Sequence, residues 1–246
     1  MKEPEQHMRR TRSGDALCQA LKQEGCPVCV VTLEAMERVM DTWQYEGFTD
    51  AENRQTLRHA QGFCPRHTWQ LTHLSVAFQL AVVYHDLLAE VLQEMGPNPA
   101  LLSPHEQSKP KRRRARLPLT WRKTAKAESA KPSYEHCPFC LQQREIEVNL
   151  VETWITLLVS EPFRQELGHR SGLCLPHFVQ ARKAAGSEEQ RDLLLTCQYT
   201  HVQWLQKEIQ ELIRKHDYRF LHEPAGEEMT SWRRAATFFV GIRGVK

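Results

Sequence analysis

Nowhere in these 246 residues does an apolar run approach the ~18 residues that a membrane span requires. The longest, such as Leu80–Val83 and Leu193–Leu195, meet charge within a few residues. Residues Met1 to Gln6 lack the apolar region of a signal peptide, which predicts a cytoplasmic address. Period-two alternation is nearly absent, which argues against a β fold. Two catalytic signatures are also missing, the His-Glu-x-x-His helix of metalloproteases and the His-x-Glu pattern of zinc deaminases. Covalent haem is disfavoured, because Val30 and Leu141 stand where Cys-x-x-Cys-His needs its histidine.

What remains is an ordinary globular composition, 41% hydrophobic and 26% charged, in a chain long enough to bury a core. It contains eight cysteines. In a reducing compartment, regularly spaced cysteines more often hold a metal or do redox chemistry than form structural disulfides. The net charge of +3 conceals an asymmetry. Between Gly96 and His136, ten Lys or Arg face three Glu, so this segment carries +7 and the rest of the chain −4. The same stretch holds six prolines and few apolar groups, and reads as a flexible linker.

On either side of the linker the chain repeats itself. Gly25-Cys26-Pro27-Val28-Cys29 returns as His136-Cys137-Pro138-Phe139-Cys140, and Gly62-Phe63-Cys64-Pro65-Arg66-His67 as Gly172-Leu173-Cys174-Leu175-Pro176-His177. Asp41-Thr42-Trp43 matches Glu152-Thr153-Trp154, and Leu57 matches Leu167. The expected organisation is therefore a tandem duplication: a first repeat at 1–95, the linker at 96–136, and a second repeat with a C-terminal helix at 137–246.

Each repeat reads as helical. Val30, Leu33, Met36, Val39, Met40 and Trp43 form a one-sided stripe, and Ile146, Leu150, Ile155 and Leu158 do the same in the second half. Thr49-Asp50 and Ser160-Glu161-Pro162 predict the start of a short second helix, ending near Ala60 or His169. A long helix is expected from Pro65 to Met95, and its second-half equivalent splits at Gly186-Ser187 and resumes from Glu188 to His216. Ser231 to Val240 is amphipathic and should dock back on the body. The fold class is all-α.

Cys-x-x-Cys closes a tight turn that aims both sulfurs one way, and the following Pro27 or Pro138 helps fix that turn. Cys-x-x-His at a helix start places sulfur and imidazole on one face, because residues i and i+3 are neighbours there. Three sulfurs and one nitrogen make the tetrahedral set that structural zinc favours. The expected ligands are Cys26, Cys29, Cys64 and His67, then Cys137, Cys140, Cys174 and His177, two zinc ions per chain. The sequence leaves open whether each set comes from one half or is exchanged between halves. An iron–sulfur cluster or a thioredoxin-like dithiol are the alternatives for the same thiolates. A closed four-ligand site has no position for substrate, so the expected role is to hold the fold.

Other features have plain explanations. Cys18 and Cys197 fall outside the repeat and are expected as small buried hydrophobes on helices. Trp43 and Trp154 belong to the core, and His136 to the linker. The basic run Lys109–Arg116 suits a solvated linker better than a nucleic-acid arm, since no groove-reading element accompanies it. Glu223, Glu227 and Glu228 with Asp217-Tyr218-Arg219 fit cap and turn chemistry better than a carboxylate-rich catalytic pocket.

These knuckles, with Lys215-His216-Asp217-Tyr218-Arg219-Phe220, Gly226-Glu227-Glu228 and Trp232-Arg233-Arg234-Ala235, resemble a bacterial family of unknown function built from paired Cys-x-x-Cys and Cys-x-x-His modules. The resemblance covers the chain apart from the linker and the extreme N-terminus, and all eight ligand positions match. It implies a bacterial, cytoplasmic protein with bound metal, and implies no activity. The functional expectation is a non-enzymatic zinc protein serving as an interaction or adaptor module for an unidentified protein partner. Its rivals are an iron–sulfur or thiol redox protein, and a nucleic-acid-associated factor using the linker.

Overall fold

The computed structural model describes residues 11–74, 77–95, 137–220 and 222–244. The linker at 96–136, with Lys109–Arg116 and His136, lies outside the described residues, so the readings placed on it stand as sequence expectations. Among the described residues there are ten α-helices and no strand. The all-α class is as expected. No helix among them is long and apolar enough to cross a membrane.

Helix α1 (Arg12–Ala20) has no counterpart in the sequence expectations. Thr11 caps it, its hydroxyl accepting from the Gly14 N–H at 3.1 Å, and Gly14, Leu17 and Ala20 fall every third residue on one buried stripe. Helix α2 (Pro27–Thr42) opens on proline, whose missing N–H costs nothing in a first turn. It runs on into one π-helical turn, Trp43–Gly47, where a Cβ on Gly47 would strike the Trp43 indole.

Asp50 caps α3 (Ala51–His59), accepting from the Asn53 N–H at 2.8 Å. A Schellman turn closes it, with Gln61 left-handed at φ 55° and the Gly62 N–H donating to the Leu57 carbonyl at 2.8 Å.

The single helix expected over Pro65–Met95 is instead two, α4 (Pro65–His73) and α5 (Ala77–Met95). Leu74 ends α4 at ψ 0°, its N–H shared between the Gln70 and Leu71 carbonyls. Neither glycine nor proline marks the spot, so the local sequence carried no stop signal.

In the second half, α6 (Pro138–Leu158), α7 (Glu161–Leu167), α8 (Leu175–Ala184) and α9 (Glu188–Lys215) follow in the same order. The expected break at Gly186-Ser187 is a capping box. Ser187 accepts from the Gln190 N–H at 3.1 Å, and the Gln190 side chain accepts in return from the Ser187 N–H. Helix α10 (Ser231–Val240) has the bounds that its pattern predicted, and packs on α8 and α9.

The chain forms two compact units, one of Met1–Asp41 with Leu141–Lys246, the other Thr42–Cys140. They do not coincide with the sequence repeats. The core of the first gathers Leu17, Val28, Trp154, Phe163, Leu173 and Leu194. Trp154 meets Phe163 edge-on at 5.4 Å, and Cys18 and Cys197 pack half-buried at the margin. The core of the second is an aromatic trio, with Trp43 edge-on to Phe63 at 5.2 Å and Phe63 stacked on Phe139 at 5.1 Å. Leu57, Leu71, Leu80 and Val83 complete its buried set.

The carboxylates near the C-terminus are all paired. Lys215 binds Glu228 at 2.8 Å, Arg170 binds Glu227 at 2.8 Å, Arg219 binds Asp217 at 2.7 Å, and Arg214 binds Glu223. The Lys215 ammonium, helped by the Gly226 N–H, holds the Glu228 carboxyl down at about 2. A depressed carboxyl stabilises the fold fully above its unfolded value and loses that contribution as pH falls toward the folded value. The gap in urea midpoint between the parent protein and Glu228→Gln should therefore be widest near neutrality and shrink by about pH 3.

Candidate metal centres

All four cysteine motifs lie at helix starts. Cys26 and Cys137 immediately precede α2 and α6, with Cys29 and Cys140 in their first turns. Cys64 and Cys174 are the N-cap residues of α4 and α8, and prolines in the first turn place His67 and His177 at the third helical position. This brings sulfur and Nδ1 of one motif to 3.1 Å in the first case and 3.3 Å in the second. Helix N-termini favour negative charge, so each end suits a thiolate.

The motifs meet across the repeats. Cys26, Cys29, Cys174 and His177 form one quartet, and Cys64, His67, Cys137 and Cys140 the other, each with its ligand atoms all within 4.8 Å of one another. All eight expected residues are thus gathered, but the in-half sets are corrected: each Cys-x-x-Cys faces the other repeat's Cys-x-x-His. The length of the rods explains the exchange. From its Cys-x-x-Cys the chain follows α2 for 16 residues, or α6 for 21, which at 1.5 Å per residue is about 24 and about 32 Å. The short α3 and α7, with 9 and 7 residues, return only about half that or less.

In the first quartet Cys29 Sγ lies 3.7 Å from Cys174 Sγ, and His177 Nδ1 lies 3.3 Å from both Cys29 and Cys174 and 3.5 Å from Cys26. In the second, Cys140 Sγ is 3.4 Å from Cys64 Sγ, and His67 Nδ1 stands 3.4 Å from Cys140 and 3.6 Å from Cys137. Seven of the eight side chains are buried, and Cys140 is partly exposed.

Burial pushes the Cys26 thiol up, and hydrogen bonds from neighbouring sulfurs push it further. Cys174 goes the opposite way, because Cys26, Cys29 and the His177 imidazole all stabilise its thiolate. Burial would lower His177, but the Cys174 and Cys29 sulfurs and Glu147 outweigh it and raise the ring to about 11. Burial and the Cys64 sulfur push Cys140 up to about 12. By themselves these groups hold little negative charge. A cation bound between them would displace their protons.

The structure adds neighbours that the motifs did not announce. Glu147 on α6 is 6% exposed, and its carboxylate lies 3.7 Å from His177 Nε2 while accepting from the Gln143 amide at 2.6 Å. A sign was available: Gln143, Glu147, Leu150 and Trp154 share one helix face by their spacing, and a carboxylate is out of place there. Arg66 donates to Cys140 Sγ at 3.9 Å. Gly241, at φ 80° and ψ 179°, lies so close to the first quartet that a Cβ would sit 3.4 Å from Cys29 Sγ and 3.8 Å from Cys174 Sγ. No motif marked this glycine.

Among curated proteins, the chain is similar to the "Uncharacterized 23.9 kDa protein in xynA 3' region" of Caldicellulosiruptor sp. (strain Rt8B.4). The two are 21% identical over 224 residues, which cover 90% of this chain and 98% of that one. No solved structure matches. With two buried quartets that could hold a metal ion, and with the family model of DUF6062, a family of unknown function, matching residues 15–245, the chain belongs to that family.

Proposed function

We propose that this is a zinc protein in which two closed sites, each of three cysteines and one histidine, hold an all-helical interaction or adaptor module together. The compactness of the quartets carries the reading. A tetrahedral ion with sulfur at about 2.3 Å and nitrogen at about 2.0 Å has sulfur–sulfur edges of about 3.8 Å and sulfur–nitrogen edges of about 3.5 Å. The edges at both quartets run from 3.1 to 3.7 Å. A cluster of several irons assigns its thiolates to different metal atoms and spreads them further, so the geometry favours a single ion.

Four protein ligands leave no open coordination position, which supports a structural rather than a catalytic ion. None of the eight cysteines is in a disulfide, as suits a reducing, cytoplasmic setting. Large apolar side chains stand exposed on both units, among them Trp69, Phe78 and Leu92 on one and Trp232 and Phe239 on the other. Such surface favours contact with a protein partner.

Elemental analysis of anaerobically purified protein, with a visible spectrum, tests the proposal. About two zinc per chain and no visible absorption are expected. A brown chromophore with iron and sulfide would overturn the reading in favour of an iron–sulfur protein.

A further inference from the structure

Resting on that reading, we propose that the two sites are unequal: the quartet of Cys26, Cys29, Cys174 and His177 holds its ion permanently, while that of Cys64, His67, Cys137 and Cys140 exchanges it, opening at Cys140.

Three observations point the same way. First, only one histidine is shown with a buried carboxylate behind it. Glu147 faces His177 Nε2 at 3.7 Å and is itself oriented by Gln143. A carboxylate there fixes the ring, makes Nδ1 a stronger donor, and adds negative charge beside the cation. The position equivalent to Glu147 in the first repeat is Met36, which can offer neither charge nor a hydrogen bond of comparable strength.

Second, the four ligands at the permanent site are all buried, and the backbone at Gly241 closes against two of their sulfurs. A thiolate leaving the ion there would be a buried charge without compensation, which is costly. Third, Cys140 is the one ligand with solvent access, and the Arg66 guanidinium lies against its sulfur at 3.9 Å. That contact draws charge away from the metal–sulfur bond. It also gives the departing thiolate a cationic partner and water to move into, so dissociation is cheapest at this ligand.

Competition with 4-(2-pyridylazo)resorcinol on the anaerobically purified full chain should release metal in two phases of one equivalent each, with rates at least about tenfold apart. Glu147→Gln should speed the slow phase by about 10- to 100-fold and leave the fast phase unchanged. Brief treatment with N-ethylmaleimide, read by peptide mass analysis, should label Cys140 first among the six ligand cysteines.

Release of both equivalents in one phase, an effect of Glu147→Gln on the fast phase, or first labelling at Cys26, Cys29 or Cys174 would each overturn the inference. Should Glu147→Gln not fold, the phases and labelling order of the parent protein still decide. A purified protein without two bound ions would instead overturn the zinc reading beneath it.

Discussion

Replacing Cys26 and Cys174 together by serine should leave one metal equivalent per chain, whereas replacing Cys26 and Cys64 should leave none tightly bound. The first pair strips two ligands from one quartet, and the second pair takes one from each. Pairing within each half would give the reverse result. Native mass spectrometry counts the ions, and the single variants provide a check if a double variant is unstable: Cys26→Ser and Cys174→Ser should each lose the same ion. Stability should follow metal content steeply. Binding of a structural ion contributes about 10–16 kcal/mol in small zinc domains, which equals or exceeds the about 5–15 kcal/mol of net stability typical of a fold. Loss of both ions should therefore abolish the cooperative thermal transition seen by circular dichroism at 222 nm.

Trp154→Ala should be the most damaging change that touches no ligand. The indole is 2% exposed, meets Phe163 at 5.4 Å, and lies in the cluster that includes Cys26, Cys29 and Cys174. Truncating a buried tryptophan costs about 3–5 kcal/mol through lost transfer energy and the cavity left behind. In a chain of this size that corresponds to a drop of about 10 °C in Tm. Scanning calorimetry on the parent and the variant measures it, and a drop of under about 2 °C would mean that the cavity is not there. Both ions should stay bound, which separates loss of packing from loss of a ligand.

Much of this architecture is legible residue by residue. The capping residues Asp50 and Ser187, the prolines that open α2 and α6, and the stripe that becomes α10 act over a few residues, so their consequences can be read locally. The end of α4 at His73 escapes such a reading, because it uses neither glycine nor proline. Glu147 was visible only as an anomaly, a carboxylate on an apolar helix face, and its use depends on a histidine 30 residues away.

The sequence by itself determined the helical class, the eight metal-ligand candidates and their presentation at helix starts, since each follows from spacing and turn chemistry within a few residues. Only the tertiary structure decided which motif faces which. Two copies of the same Cys-x-x-Cys and Cys-x-x-His offer two matchings with the same ligand chemistry, three thiolates and one imidazole either way. The choice between them rests on the lengths of α2 and α6, rigid rods that carry each Cys-x-x-Cys away from the Cys-x-x-His of its own repeat.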